Sequence, residues 1–237
     1  MEISPDAVVF WRWGFVNVNA TILFTWVVMA LLAVVSWLVT RKLTSSTKLS
    51  RWQNLLEVVV TGIEDQIRDV SRQEPRQFIP FVGTLFLFIA LSNTLSIVPG
   101  YLSPTGSLST TTALAVSVFI AVPVFGFSKQ GGRGYLRHYI TPSKFMLPFN
   151  VMGELSRTVA LAVRLFGNVM SGTMIAAILL SIAPLVFPVV MQLLGLLVGL
   201  IQAYIFSVLA MVYIASATQA YSEKELEKYK KGDKYNG

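Results

Sequence analysis

The chain is predicted to be an all-α integral membrane protein: five transmembrane helices with a long tilted C-terminal hairpin and an interfacial amphipathic helix, in one membrane domain over residues 1–237. Three observations predict it. Of the 237 residues, 54% are hydrophobic and only 13% charged, about half the charged share of a soluble domain. Five apolar segments are each long enough for a hydrocarbon core about 30 Å thick, which takes around 20 helical residues. The basic residues gather between alternate segments, as topology signals do.

The first span runs from about Ala20 to Thr40 and the second from Phe78 to Val98. The third covers Thr110 to Phe127, where Pro123 is expected to introduce a kink. The fourth runs from Val151 to Ala183 and the fifth from Leu185 to Gln219, with Pro184 and Pro188 marking a tight hairpin turn between them. Residues 48–72 set Trp52, Leu55, Leu56, Val59, Ile63, Ile67 and Val70 at helical spacing against Glu57, Glu64, Asp65, Arg68 and Asp69. That pattern predicts an amphipathic helix lying in the membrane interface; a linker helix packed on another subunit is the alternative. Residues 222–237 read as a basic tail.

Lys and Arg fix the topology. Residues 41–76 hold seven of them, residues 129–144 four and the tail five. Five spans put all three groups on one side, accounting for 16 of the 19 basic residues; an error of one span would scatter them. Of the rest, Arg12 falls on the far side, and Arg157 and Arg164 lie in the fourth segment. The positive-inside rule then places the C-terminus in the cytoplasm and the N-terminus outside, in a multi-pass protein of a bacterial-type inner membrane. The outer loop Pro99 to Ser109 carries no charge and is rich in Gly, Pro and Ser.

The last two segments are too long for a perpendicular crossing. Residues 151–183 extend about 50 Å as one helix, against a core of about 30 Å. Their flanks remain apolar, which favours a steeply tilted hairpin packed along another membrane object. Gly153, Gly167, Gly172, Gly195 and Gly199 punctuate it, either for close helix approach or to leave room for water.

Arg164 lies deep in the fourth segment, within Ala160-Leu161-Ala162-Val163-Arg164-Leu165-Phe166-Gly167-Asn168. A cation at mid-bilayer costs roughly 2.5–3.5 kcal/mol on insertion scales, and Arg does not escape by losing its proton. Asn168 and Ser171 follow at i+4 and i+7 on its face, and Arg157 precedes it by seven. Glu154 pairs naturally with Arg157 three residues on, near the cytoplasmic end, either as a structural ion pair or as part of an ion relay in a hydrated path. Glu154 lies about 15 Å from Arg164 along the axis and off its face. The counter-charge to Arg164 is therefore expected on a partner. On the fifth segment Gln192, Gly195, Gly199 and Gln202 approximate one stripe. Gln202 is expected either to hydrogen-bond toward the Arg164 region or to act as interhelical glue.

Several classes are excluded. The net charge of +7 is topological and implies no nucleic acid. There are no cysteines and one histidine, so thiolate or histidine metal sites are out, and no cofactor is expected. The N-terminus lacks a basic region before a short apolar core, so no cleavable signal peptide is expected. No Ser/His, Asp/Asp or His/Glu pattern lies at bilayer depth, so no catalytic residue is assigned. A self-contained transporter or channel is a distant alternative, weakened by the absence of internal repeats and of paired deep charges.

The run Arg164-Leu165-Phe166-Gly167-Asn168, followed 34 residues later by Ile201-Gln202-Ala203-Tyr204-Ile205-Phe206, resembles subunit a of the F-type ATP synthase. The resemblance covers most of the chain, including the span count, the interfacial helix and the terminal hairpin. It implies a non-catalytic stator subunit whose hairpin packs against a rotating ring of c subunits, with b-type peripheral-stalk subunits as further partners. Each c subunit of that family carries a membrane-embedded carboxylate, loaded and unloaded through two offset half-channels. Arg164 matches the family's essential arginine, and Asn168 and Gln202 match neighbouring polar positions; Glu154, Arg157 and Ser171 complete the candidate ion-translocation set. The sequence also departs from many relatives. Gly172 is followed by Thr173 rather than a carboxylate, Gly195 stands where an ionisable residue is common, and the outer end of the third span reads Ser107, Ser109, Thr110, Thr111, Thr112. These departures imply an outer path lined by hydroxyls and glycines, hydrated rather than relayed by titratable side chains. H⁺ is the expected ion, with Na⁺ the alternative.

Overall fold

A computed structural model describes Asp6 and residues 9–13, 16–41, 51–71, 74–98, 100–140, 146–182 and 187–233. Six helices carry the architecture: α1 (Ala20–Thr40), α2 (Arg51–Ser71), α3 (Ile79–Thr94), α4 (Leu108–Ile140), α5 (Met146–Ile182) and α6 (Phe187–Asp233). All but α2 are long and apolar enough to cross a membrane, over Ala20–Leu38, Ile79–Ile97, Leu108–Lys129, Pro148–Ser181 and Val189–Thr218. The predicted all-α membrane class and the count of five spans stand. One element is additional: an antiparallel hairpin of β1 (Val9–Trp13) and β2 (Val16–Asn19) precedes α1, pairing Arg12 with Asn17 and Trp13 with Val16. Val, Phe and Trp favour extended backbone, but strands of five and four residues are too short to declare themselves by periodicity.

The helices outrun their predicted boundaries. α4 continues past Phe127 to Ile140 with Pro123 inside it; membrane helices tolerate such a proline when neighbours satisfy the freed carbonyl. α5 begins at Met146, and α6 continues through most of the predicted tail to Asp233. The 37 residues of α5 and 47 of α6 extend about 55 and 70 Å. The predicted turn at Pro184, together with Ala183, Leu185, Lys48, Pro99, Arg72 and Lys234, lies outside the described residues. So do the side chains of Arg12, Trp52, Leu55, Leu56, Lys144 and Pro188.

Helix α2 is amphipathic as predicted. Ile67 is buried and Ile63 and Val70 pack beside it, while Glu57, Asp65, Arg68 and Asp69 are exposed. Its apolar face meets Phe78 and Val82 at the start of α3 and Met211 and Ile214 on α6. A second cluster joins Leu85, Phe88 and Ile89 of α3, Ala115 and Val118 of α4, Leu161, Ala162 and Leu165 of α5, and Ala203, Phe206 and Ala210 of α6. Alanines recur on these buried faces because lipid is as apolar as Leu. Helix association in a bilayer therefore rests on close packing rather than on escape from water. Large apolar side chains stay exposed elsewhere, such as Trp26 at 67% and Met152 at 65%, as a lipid-facing surface permits.

Candidate functional site

Helix α5 is two-faced. Leu161, Ala162 and Leu165 are buried against α4 and α6, while Val159 and Val163 are 54% and 55% exposed. Arg164 is exposed with them, so its guanidinium shares the outer surface with apolar side chains. Among the described residues no carboxylate forms an ion pair with it. Asn168 is half-buried, and the Ser171 hydroxyl donates to the Asn168 carbonyl at 3.1 Å. Of the five hairpin glycines, only Gly199 is in close contact. A Cβ on Gly153, Gly167, Gly172 or Gly195 would meet nothing within 4 Å. Close packing within this chain therefore explains Gly199 and leaves the other four with open space beside them.

Gln202 is 5% exposed, and its Nε2 has no hydrogen-bond partner. The expected bond from Nε2 toward the Arg164 region is not made. A buried polar lane runs separately from the far end of the bundle, where α1 and α4 start and α3 finishes, and reaches α6 at Gly199. Its residues Ser92, Asn93, Thr105 and Ser107 are each at most 4% exposed, and Ser103 is 9% exposed. Thr105 Oγ1 donates to Asn93 Oδ1 at 2.7 Å. Since a hydroxyl has one proton, Ser103 Oγ then donates to Thr105 at 2.7 Å, with the Ser92 carbonyl at 3.2 Å as its weaker acceptor. Asn93 Nδ2 continues the lane, donating to the Gly199 carbonyl at 2.9 Å, three residues before Gln202. Such a directed chain strengthens itself by mutual polarisation. Ser92 Oγ and Tyr101 Oη flank it, buried and without hydrogen-bond partners. Burial pushes the Tyr101 phenol up to about 12, against a smaller lowering by the nearby Ser92 hydroxyl, which sits close without reaching good bonding geometry.

At the opposite end, Glu154 is half-buried and Arg157 exposed. Arg157 lies near enough for its charge to act on the Glu154 carboxylate, and its guanidinium rests over the Tyr213 ring at 5.5 Å, a cation–π contact. Glu154 and Arg157 line a cavity of about 410 Å³ with Phe149, Asn150, Gly153, Ser216 and Ala217. Arg164 lies about 15 Å along α5 from Glu154.

Asn93, Thr105 and Tyr101 were not singled out by the sequence. Asn93 left a signal, a strong amide inside an apolar span; the others sit in a short loop with ordinary turn composition. Asp6, which accepts hydrogen bonds from Thr21, Ser107 and Ser109, left none: only folding brings it to Ser107, 101 residues away.

Comparison with known proteins decides the family. A family model, ATP synthase A chain, matches residues 22–215. The chain belongs to the ATP synthase A chain family. It is 64% identical over 219 residues to ATP synthase subunit a 2 of Acaryochloris marina, covering 92% of this chain and 94% of that protein. It is 58% identical to ATP synthase subunit a of Albidiferax ferrireducens over 94% of this chain and 97% of the relative. Against ATP synthase subunit a 1 of Chlorobaculum parvum it is 59% identical over 92% and 97%. Arg164, Asn168, Ser171, Gln202, Glu154 and Arg157 all fall inside the segment that matches the ATP synthase A chain family, and Asp6 falls before it.

Proposed function

We propose that this member of the ATP synthase family is the ion-translocating stator subunit of the membrane sector, facing a c-ring with the surface that carries Arg164. The observation that carries this reading is an exposed guanidinium on an apolar α5 face with no ion-paired carboxylate among the described residues. In lipid such a cation is costly. A passing rotor carboxylate supplies the missing anion, and the cation in turn offsets the cost of stripping that carboxylate of its ion. Arg164 also repels a cation attempting to cross directly between the two access paths. Partial solvation keeps the pair weak enough for the next rotor site to displace it. The membrane potential contributes about 2.3 kcal/mol per charge per 100 mV, comparable with these terms, so a gradient biases rotation.

Two approaches to Arg164 support offset half-channels. We assign the cavity at Glu154 and Arg157 to the inner one, and the lane from Thr105 through Asn93 to Gly199, with Ser107 before it and Gln202 one turn past it, to the outer one. The subunit performs no bond chemistry itself and works within one membrane domain, beside b-type stalk subunits. We place its N-terminus outside and its C-terminus in the cytoplasm of a bacterial-type plasma membrane. H⁺ is the proposed ion. Na⁺ is the second reading, favoured by the oxygen-rich lining of Ser107, Thr105 and Asn93. The test is ion flux and gradient-driven ATP synthesis by the complex in vesicles. Arg164→Ala should abolish coupling while the complex still assembles. Retained coupling would remove Arg164 from this role. Flux measured under a pure H⁺ or a pure Na⁺ gradient decides the ion.

A further inference from the structure

The N-terminal segment contributes a carboxylate to the end of the bundle where the buried lane begins. Asp6 Oδ1 accepts from Thr21 at 2.6 Å, and Oδ2 accepts from Ser107 at 2.6 Å. Ser107 commits its only proton there, so Ser109 donates to Ser107 at 2.6 Å and its own contact with Asp6, 3.4 Å, is secondary. Among the described residues with described side chains, Asp6 is the sole carboxylate at this end. Glu57, Glu64, Asp65, Asp69 and Glu74 belong to α2 and the segment after it, and Glu154 to the start of α5, all at the opposite end. Ser107 follows two residues after Thr105, where the hydrogen-bonded lane through Asn93 to the Gly199 carbonyl starts; Ser92 Oγ beside that lane is fully buried and unpartnered, as is Gln202 Nε2 one turn past Gly199.

Resting on the stator reading above, we propose that Asp6, with the hydroxyls of Thr21, Ser107 and Ser109, is the cation-collecting site at the outer mouth of the translocation path. Its ligand is a hard monovalent cation, hydrated Na⁺ or hydronium. Carboxylate and hydroxyl oxygens suit such hard ions, and each hydroxyl that donates to Asp6 keeps its lone pairs free for a cation beside the carboxylate. The outer loop, Pro99 to Ser109, is uncharged, so among the described side chains Asp6 brings the negative charge to this end of the bundle. A single half-buried carboxylate enriches cations around it by roughly three- to tenfold. The alternative is a purely mechanical role, in which Asp6 pins the N-terminal segment across the starts of α1 and α4, where a carboxylate is favoured by both helix dipoles.

Asp6→Asn separates the two, because the carboxamide keeps the shape and one acceptor oxygen while losing the charge. In the whole ATP synthase reconstituted in vesicles, gradient-driven ATP synthesis is measured against outer Na⁺ at fixed pH and against outer H⁺ at fixed Na⁺. The expected result is a roughly three- to tenfold higher cation concentration for half-maximal rate in Asp6→Asn, convergence at saturating cation, and restoration by Asp6→Glu. The titration that shifts identifies the cation. Curves that overlay the native ones in both titrations overturn the proposal and leave Asp6 as a pin. Loss of assembled complex in Asp6→Asn, with Asp6→Glu also unshifted, overturns it as well. Arg164→Ala run in parallel tests the underlying reading. If it stays coupled, the stator role fails; if it is dead while Asp6→Asn behaves as native, only the Asp6 assignment fails.

Discussion

Asn93 and Gly199 hold α3 against α6 at a distance that no other residue at 199 allows. The Asn93 amide donates to the Gly199 carbonyl at 2.9 Å, and a Cβ on Gly199 would stand 2.9 Å from the Asn93 Cβ. Real Cβ atoms do not approach so closely, and the obstacle is the base of a buried side chain rather than a flexible tip. Gly199→Ala should therefore push α3 from α6, break the Asn93 bond and loosen the lane. Overpacking of this kind costs about 1–3 kcal/mol, read as a lowered Tm of the subunit in detergent. Gly195→Ala, four residues earlier with open space around it, should leave that Tm unchanged. Equal effects of the two would mean that helix flexibility, not contact with Asn93, governs position 199.

Arg164→Ala removes the only charge that α5 presents between its two approaches. On the stator reading proposed above, an embedded rotor carboxylate left without its partner costs about 3 kcal/mol or more, so ATP synthesis should fall by at least about 100-fold with normal assembly. Arg164→Lys should be severely impaired as well. An ammonium lacks the planar fork, and it sheds its proton when desolvated. Vesicle ATP synthesis set against subunit content of the purified complex checks both.

The part of this site that sequence made legible is the part built from local spacing. Arg164, Asn168 and Ser171 share a face because 3.6 residues make a turn, whatever surrounds them. Five spans follow from apolar length, and α2 from its period. The lane was opaque because its members come from α3, a turn-rich loop and α6, and nothing local to Thr105 announces that Asn93 will accept its proton. Gly199 illustrates the same limit. Five glycines looked alike in sequence, and only the packing of α3 distinguishes one of them. The outer loop Pro99 to Ser109 carries no Asp, Glu, Lys or Arg, yet Asp6 accepts hydrogen bonds there from Ser107 and Ser109, a contact that nothing local to the loop announces.

Tyr101 makes stability depend on pH in a predictable direction. Its folded phenol is pushed up to about 12, mainly by burial, against about 10 in the unfolded chain. The raised value means that the neutral form is favoured by folding. The associated stability is complete below pH 10 and is lost as pH rises from about 10 to about 12, where the unfolded chain ionises first. Tyr101→Phe should flatten this alkaline decline while leaving stability near neutral pH within about 1 kcal/mol of native, because the hydroxyl has no hydrogen bond to lose. Thermal unfolding in detergent from pH 8 to pH 11 measures it; identical slopes for the two proteins would show that the phenol is solvated in the folded state.

Gln202→Leu distinguishes transport from packing. The side chain is 5% exposed with Nε2 unpaired, so Leu of similar volume removes a buried amide that the fold does not satisfy. On packing grounds alone the substitution is neutral or stabilising, since an unpaired buried donor costs about 1–3 kcal/mol. A path that uses the amide to hold water or ion beside Arg164 predicts the opposite for function. Ion flux should slow about tenfold, less than for Arg164→Ala, because removing one hydrogen bond to a charged group costs about 1.5 kcal/mol at the low end of its range. A Tm that holds or rises together with a slower flux assigns Gln202 to the path. A raised Tm with native flux assigns it to interhelical contact, and the lane then ends at the Gly199 carbonyl.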